Sequence, residues 1–278
     1  MVVSIEATRI FLEALLMGAV LKSDFCDWSK YVEVLRGEGA VFDIRSETIV
    51  LKKEGFGIYS LCARMPRKVV YVERCGSTND VARKEHIEEA IFVAKDQYRG
   101  RGRLGRTWLG ESGKSLFVSF VVQPQCRPEE AARASLIWIA LLAKKLELYV
   151  KWPNDLVSQD GNKIGGCLCE LIDTRPTLIF GVGINVHQQR PPIERSSSLF
   201  LEGISHTRTG LIRELASIVY GEALDQSLDC WRARALYMGQ NIRVRDIEGE
   251  MKGIREDGAL LVGETVVMTG DVQLVEEI

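Results

Sequence analysis

The most constraining feature of this chain is a run of glycine and arginine, Gln97-Tyr-Arg-Gly-Arg-Gly-Arg-Leu-Gly-Arg106, followed by Trp108. Glycine loses the most backbone freedom on ordering, so residues 97–114 cannot hold regular structure well and should form a loop. On either side lie apolar runs with strand character, Ala90-Ile-Phe-Val-Ala94 and Ser115-Leu-Phe-Val-Ser-Phe-Val-Val122. A fold that accommodates both needs a buried sheet with a cationic loop held at one end of it.

The surrounding pattern is αβ in texture. Val69–Glu73 is expected as a strand, with Ser77-Thr-Asn-Asp80 as a cap cluster opening a helix to about His86. Pro128 to Leu146 is the longest amphipathic stretch, and Leu148–Trp152 is a strand ended by Pro153. Asp160-Gly-Asn162 reads as a turn joining Asp155–Ser158 to Ile164–Ile172. Thr177–Val186 is a further strand and Thr209–Asp225 a helix. Strands joined both by helices and by hairpins imply a mixed α+β sheet, not a doubly wound one. From about Leu236 the texture becomes short strands punctuated by glycine, which implies a small all-β barrel. Three units are therefore expected: residues 1–66, 67–235 and 236–278.

Composition narrows the function classes. A formal net charge of −2 gives no whole-protein nucleic-acid footprint. The seven cysteines form no Cys-x-x-Cys and the three histidines lie far from them, so no metal site is expected and reduced thiols suit a cytoplasmic location. No secretory leader pattern or long apolar span is present, so no membrane association is expected.

Five segments carry side chains suited to chemistry. In the arginine–glycine loop, glycines let backbone amides approach a ligand and arginines offer forked donors for phosphate or carboxylate. A flexible nucleic-acid-binding segment has a similar composition, but lacks this loop's position between buried strands. Lys151-Trp-Pro-Asn-Asp155 would present Asn154 and Asp155 at a strand end, although Pro-Asn-Asp is also an ordinary turn composition. Lys163-Ile-Gly-Gly166 places a lysine before paired glycines that leave room for a ligand; a surface hairpin lysine is the plain alternative. Gly181-Val-Gly-Ile-Asn185 interrupts an apolar strand with glycine, as a bulge or close sheet packing also would. Ser77-Thr-Asn79 is at least a helix cap, and a helix amino terminus offers free N–H groups to a carboxylate.

In this order and spacing, the five segments resemble the catalytic domain of biotin–protein ligases, from about Val69 to the end of the chain. The resemblance implies a class II synthetase-like mixed sheet, an SH3-like carboxyl-terminal barrel and an ATP-dependent, AMP-forming activity. Biotin and ATP would give biotinyl-5′-AMP and pyrophosphate, and biotin would then pass to a lysine of a biotin carboxyl carrier protein or domain. By the same resemblance, Ser77, Thr78, Asn79, Gln97, Gly165 and Gly166 would lie around biotin, with Arg101, Gly102 and Arg103 folding over it. Arg103 and Arg106 would contact phosphate or the activated carboxylate, and Lys163 would hold the reacting oxygens. Trp108, Asn154 and Asn185 would border the adenylate, and Asp155 would position the incoming amine or a magnesium ion held mainly by ATP. Two departures stand out: Leu104 replaces an arginine of the bifunctional ligase–repressors, and Leu109-Gly-Glu-Ser-Gly113 lacks the Ser-Pro often found there.

Helical spacing over Ile5–Val20 and Trp28–Arg36, followed by a small hairpin of Val41–Arg45 and Glu47–Lys52, makes the first 66 residues resemble, more weakly, the winged-helix domain of bifunctional ligase–repressors. Basic residues are few between 5 and 36 (Arg9, Lys22, Lys30, Arg36), so a remnant that braces the catalytic domain is expected in preference to a DNA-binding one. A homodimer, if formed, is expected to use an exposed edge at strands 115–122 and 177–186. The rival activities are lipoate–protein ligation and a repressor that binds biotinyl-AMP without using it.

Overall fold

The computed structural model describes residues 8, 10–12, 20–25, 27–37, 41–44, 46–53, 65–123, 131–172, 177–190, 193–221 and 227–275. The amino-terminal unit contains β1 (Val20–Leu21), α1 (Trp28–Gly37), β2 (Val41–Ile44) and β3 (Thr48–Lys53), with the strands in the order β1-β3-β2. Phe11, Leu12, Val20, Val32, Leu35 and Ile49 form its own buried cluster. The expected hairpin is present and gains β1 as a third strand. Most of the helix expected over 5–20 lies outside the described residues.

The main sheet comprises β4 (Val69–Cys75), β5 (Ile91–Gln97), β8 (Ser115–Val122), β9 (Tyr149–Lys151), β10 (Asp155–Val157), β11 (Lys163–Ile172) and β12 (Thr177–Asn185). Its order is β4-β5-β8-β12-β11-β10-β9, with β4 and β5 parallel and every other pair antiparallel. The mixed sheet expected from the sequence is therefore present. The edge expectation fails: β8 and β12 lie side by side in the middle of the sheet, and the edges are β4 and β9. Their long apolar runs reflect burial on both faces, not availability for pairing.

That two-sided burial is read directly from β8, all of which is buried. Leu116, Val118, Phe120 and Val122 join the large core under α3 (Ala131–Lys145) and α4 (Arg208–Val219). Phe117 and Val121 face the opposite side, Val121 joining Ala82 of α2 (Thr78–Glu85) and Phe117 the Val81 cluster. The side-chain alternation of a strand thus feeds two layers of helix at once. Residues 128–130 and 222–226, at the expected ends of α3 and α4, lie outside the described residues. Thr207 caps α4 by accepting from Gly210 N–H at 3.0 Å. Ser77 occupies the N-cap of α2, but its side chain makes no capping bond, which corrects the role expected for it.

After the one-turn helix α5 (Asp229–Arg232) come β13 (Asn241–Val244), β14 (Ile247–Ile254), β15 (Leu260–Val262), β16 (Thr265–Val267) and β17 (Gln273–Leu274), in the order β16-β15-β14-β13-β17. Among the described residues no pairing of β16 with β17 closes this sheet into a barrel. It is not a loose appendage. Ile242, Val244, Met251 and Leu260 belong to the same buried cluster as the main sheet, and Trp152 Nε1–H donates to Gly258 O at 3.0 Å.

Candidate active site

The loop expected to lack regular structure contains a short ladder, β6 (Gly100–Arg101) against β7 (Thr107–Trp108), joined by a tight turn at Arg103–Gly105. Glycine makes this ladder possible: a Cβ on Gly100 would lie 2.5 Å from Trp108 O. Leu104 takes the left-handed conformation, with φ of 55°. The ladder carries Arg101, Arg103 and Arg106 over the carboxyl-terminal ends of β5 and the β11–β12 region, where they line a cavity of about 240 Å³.

Ser77, Thr78, Asn79, Gln97, Arg101, Gly102, Arg103, Arg106, Trp108, Asn154, Asp155, Lys163 and Gly166 all line this space. Segments as remote in sequence as those of Ser77 and Asp271 thereby meet at one place. Gly165 and Asn185 do not line it. A Cβ on Gly165 would come within 2.7 Å of Gly183 O, so this glycine serves close strand packing. Asn185 lines a second cavity of about 740 Å³, which shares Trp108, Asp155 and Lys163 with the first. Its amide is fully engaged, donating to Ser197 O and accepting from Gln188 Nε2, both at 3.0 Å.

One wall is a hydrogen-bonded relay. Thr78 N–H donates to Gln97 Oε1 at 2.9 Å, joining the start of α2 to the end of β5. Ser119, buried in β8, lies 2.6 Å from Asn79 Oδ1 and 2.7 Å from Thr78 Oγ1. Its single proton must go to the amide oxygen, which can only accept, so Thr78 supplies the other hydrogen. Asn79 Nδ2 donates to Glu170 at 2.7 Å. These bonds hold the side chains facing the cavity before any ligand arrives.

The floor is glycine. A Cβ on Gly181 would lie 2.2 Å from Asn79 Oδ1, and one on Gly183 would lie 2.5 Å from Trp108 Cε2. Gly183 pairs with Gly166 across β11 and β12. The Gly-x-Gly interruption is therefore neither a bulge nor simple sheet packing: one glycine seats the amide and the other the indole. Trp108 Nε1 is buried without a hydrogen-bond partner.

The cationic side combines Lys163 of β11 with Arg103 and Arg106 of the arginine–glycine turn. Lys163 Nζ lies 2.6 Å from Asp155 Oδ1 and 5.7 Å from the centre of the Trp108 ring. Arg103 stacks 6.0 Å from the Trp152 ring, and burial pulls its pKa below the ordinary value. A guanidinium stays cationic through such a shift, so the site holds a partly desolvated positive charge. Arg106 pairs with Asp271, which raises the arginine's pKa and holds the carboxyl below its ordinary value. Asp271 also lines the cavity, so the carboxyl-terminal unit contributes to the site. Cys167 lines it too, and burial pushes its thiol well up. Among the described residues there is no group of three or more His, Cys, Asp or Glu able to hold a metal ion.

Ser119, Glu170 and Asp271 were not singled out in the sequence. Ser119 and Glu170 did leave a signal, since each is a lone polar residue inside an apolar strand and must find a partner there. Asp271 left none.

A sheet-floored cavity lined by Arg101, Arg103, Arg106 and Lys163 suits the anionic groups that an acid-activating enzyme handles, and comparison with known proteins agrees. Residues 71–187 match the biotin/lipoate A/B protein ligase family model. The chain is also similar to biotin ligases. It is 29% identical to the biotin–[acetyl-CoA-carboxylase] ligase of Mycobacterium tuberculosis, over 74% of this chain and 88% of that protein. It is 25% identical to the bifunctional ligase/repressor BirA of Bacillus spizizenii, over 88% of each. The biotin protein ligase of Aquifex aeolicus, solved with biotin and ATP, superposes with a TM-score of 0.63 at 26% identity, covering 77% of this chain and all of that one.

Proposed function

We propose that this protein is a biotin–protein ligase that forms biotinyl-5′-AMP from biotin and ATP and transfers biotin to a lysine of a carboxylase carrier domain. The observation that carries this is the convergence of Thr78, Asn79 and Gln97 with Arg101, Arg103, Arg106 and Lys163 on one cavity, which shares Trp108, Asp155 and Lys163 with a second. The first cavity would take biotin against Ser77, Thr78, Asn79 and Gln97, and the second the adenosine beyond Trp108, with Asn154 nearby.

In the first step a biotin carboxylate oxygen attacks the α-phosphorus and pyrophosphate leaves. Both reactants are anionic, so Arg103, Arg106 and Lys163 offset their repulsion and stabilise charge in the transition state. In the second step a lysine amine of the carrier attacks the acyl carbon and AMP leaves. Asp155, beside Lys163, would orient that amine. Magnesium would be held chiefly by the nucleotide's phosphates, and Asp155, which lines the same cavity, would assist. The β6–β7 ladder would act as a lid, keeping water from a hydrolysable mixed anhydride.

The flanking units fit this reading. Residues 236–278 would be the SH3-like domain of the family, and residues 1–66 a reduced winged helix. A cytoplasmic enzyme is expected. A second reading, ligase and repressor in one chain, is favoured by the separate core of the amino-terminal unit and the alignment with the Bacillus protein across 88% of this chain. A gel shift on the organism's biotin-gene promoter, with biotin and ATP, tests it.

Biotin-dependent exchange of labelled pyrophosphate into ATP, run in parallel with lipoate and octanoate, tests the main proposal. Exchange with biotin alone is the expected result. Exchange with lipoate alone would move the protein to lipoate ligation, and none with any acid would favour a repressor that only binds the intermediate.

A further inference from the structure

Glu170 sits in β11 beneath the arginine–glycine loop, with its side chain 18% exposed. It is the meeting point of three side chains from two other elements. Asn79 Nδ2 donates to it at 2.7 Å and Arg83 at 3.1 Å, both from α2. Arg101, from β6, grips it with both guanidinium nitrogens, at 3.1 and 2.9 Å. Arg101 also reaches Asp80 at 2.7 Å. The cluster thus balances two carboxylates against two guanidinium groups.

We propose that Glu170 is a positioning residue for acid activation, fixing the Asn79 amide in the pocket and tying the arginine loop to the sheet so that the acyl-adenylate is retained. This rests on the ligase reading. The amide argument is one of sign. Asn79 Oδ1 accepts from Ser119 while its nitrogen faces the carboxylate, and a flipped amide would set two acceptors against each other. With Gly181 closing the space behind, the amide cannot relieve that conflict by moving away. The loop argument is one of geometry. The forked pair fixes Arg101, which pairs with Thr107 at the end of the ladder nearest the turn, so the Arg103–Gly105 turn beyond can move while the ladder stays attached. Charge balance makes Glu170 hard to replace: a glutamine there leaves Arg83 and Arg101 facing Asp80 alone.

The test uses Glu170→Gln, Arg101→Gln and the double variant in the full chain. Three readings are taken: KM for biotin against kcat in pyrophosphate exchange, labelling of lysines on serum albumin as a measure of intermediate escape, and thermal melting. Glu170→Gln is expected to raise KM for biotin about tenfold, the scale of one lost charge-assisted hydrogen bond, and by more than it lowers kcat. Albumin labelling should rise several-fold in both single variants, and the double variant should be no worse than Arg101→Gln. A folded Glu170→Gln protein with wild-type KM and wild-type escape overturns the proposal, as does simple additivity in the double variant. Should Glu170→Gln melt below the assay temperature, Arg101→Gln decides: wild-type escape there also overturns it. The ligase reading fails separately, when the wild-type protein shows no biotin-dependent exchange.

Discussion

Lys163 Nζ lies 2.6 Å from Asp155 Oδ1, and both residues line both cavities. They stand on adjacent antiparallel strands, where Asp155 pairs with Gly166 and Val157 with Lys163. The absence of a side chain at Gly166 clears the path between them, since a Cβ there would lie 3.2 Å from Asp155 Oδ1. A lysine held beside a carboxylate is kept in place until a stronger anion arrives. Lys163→Met keeps the stem and removes the charge, and is expected to lower biotin-dependent exchange on the order of 10²–10³-fold, as losing a preorganised transition-state donor does. Melting should move little because the lysine side chain is 40% exposed. Asp155→Asn should depress transfer to the carrier more than exchange, and comparing the two half-reactions in one preparation checks the division of labour.

The two floor glycines predict separable defects. Gly181→Ala drives a methyl into the Asn79 amide, whereas Gly183→Ala drives one into the Trp108 indole. The first should raise the Kd for biotin more than for ATP, and the second the reverse. Each overpacks a tight contact and should cost about 1–3 kcal/mol of stability. Titration calorimetry on both variants, with denaturant melts alongside, reads the split; equal losses for the two ligands would remove the distinct roles assigned to the glycines.

Retention of the intermediate is predicted to depend on Arg103. Its guanidinium is withdrawn from water beside Trp152, and Gly102 and Gly105 flank the turn that carries it. Arg103→Gly should release biotinyl-AMP and label exposed lysines indiscriminately. Mass spectrometry of a carrier mixed with an unrelated protein follows this, and labelling confined to the carrier lysine would refute the lid role.

How much of this was legible follows from where the signals lie. The arginine–glycine loop, the Lys163 motif and the strand at 115–122 are local in sequence and were read there. The role of Gly181 and Gly183 was not, because it depends on which side chains sit above them, Asn79 and Trp108, and these come from remote segments. Burial misled in one respect. The apolar runs of 115–122 and 177–186 were taken for a dimer edge, but uninterrupted apolar sequence is what a central strand needs when helices cover both faces. Gly100 shows the converse: a residue that argues against regular structure is what allows the β6–β7 ladder to close.

The Arg106–Asp271 contact gives a prediction with a pH window. Arg106 holds the Asp271 carboxyl below its ordinary value of 3.8, so folding favours the ionised form. The stability linked to this pair is therefore fully present above that ordinary value and is lost as pH falls through the lowered one. The side chains are 57% and 47% exposed, so the contribution is small and should shrink with salt. Asp271→Asn should lower the melting temperature slightly from neutral pH down to about pH 5, with the difference from wild type vanishing in stronger acid. Because Arg106 would also meet the nucleotide phosphates, freeing it alters function as well as stability: KM for ATP should change while KM for biotin does not. A melting difference that persists in strong acid would show that Asp271 acts through packing and not through its charge on Arg106.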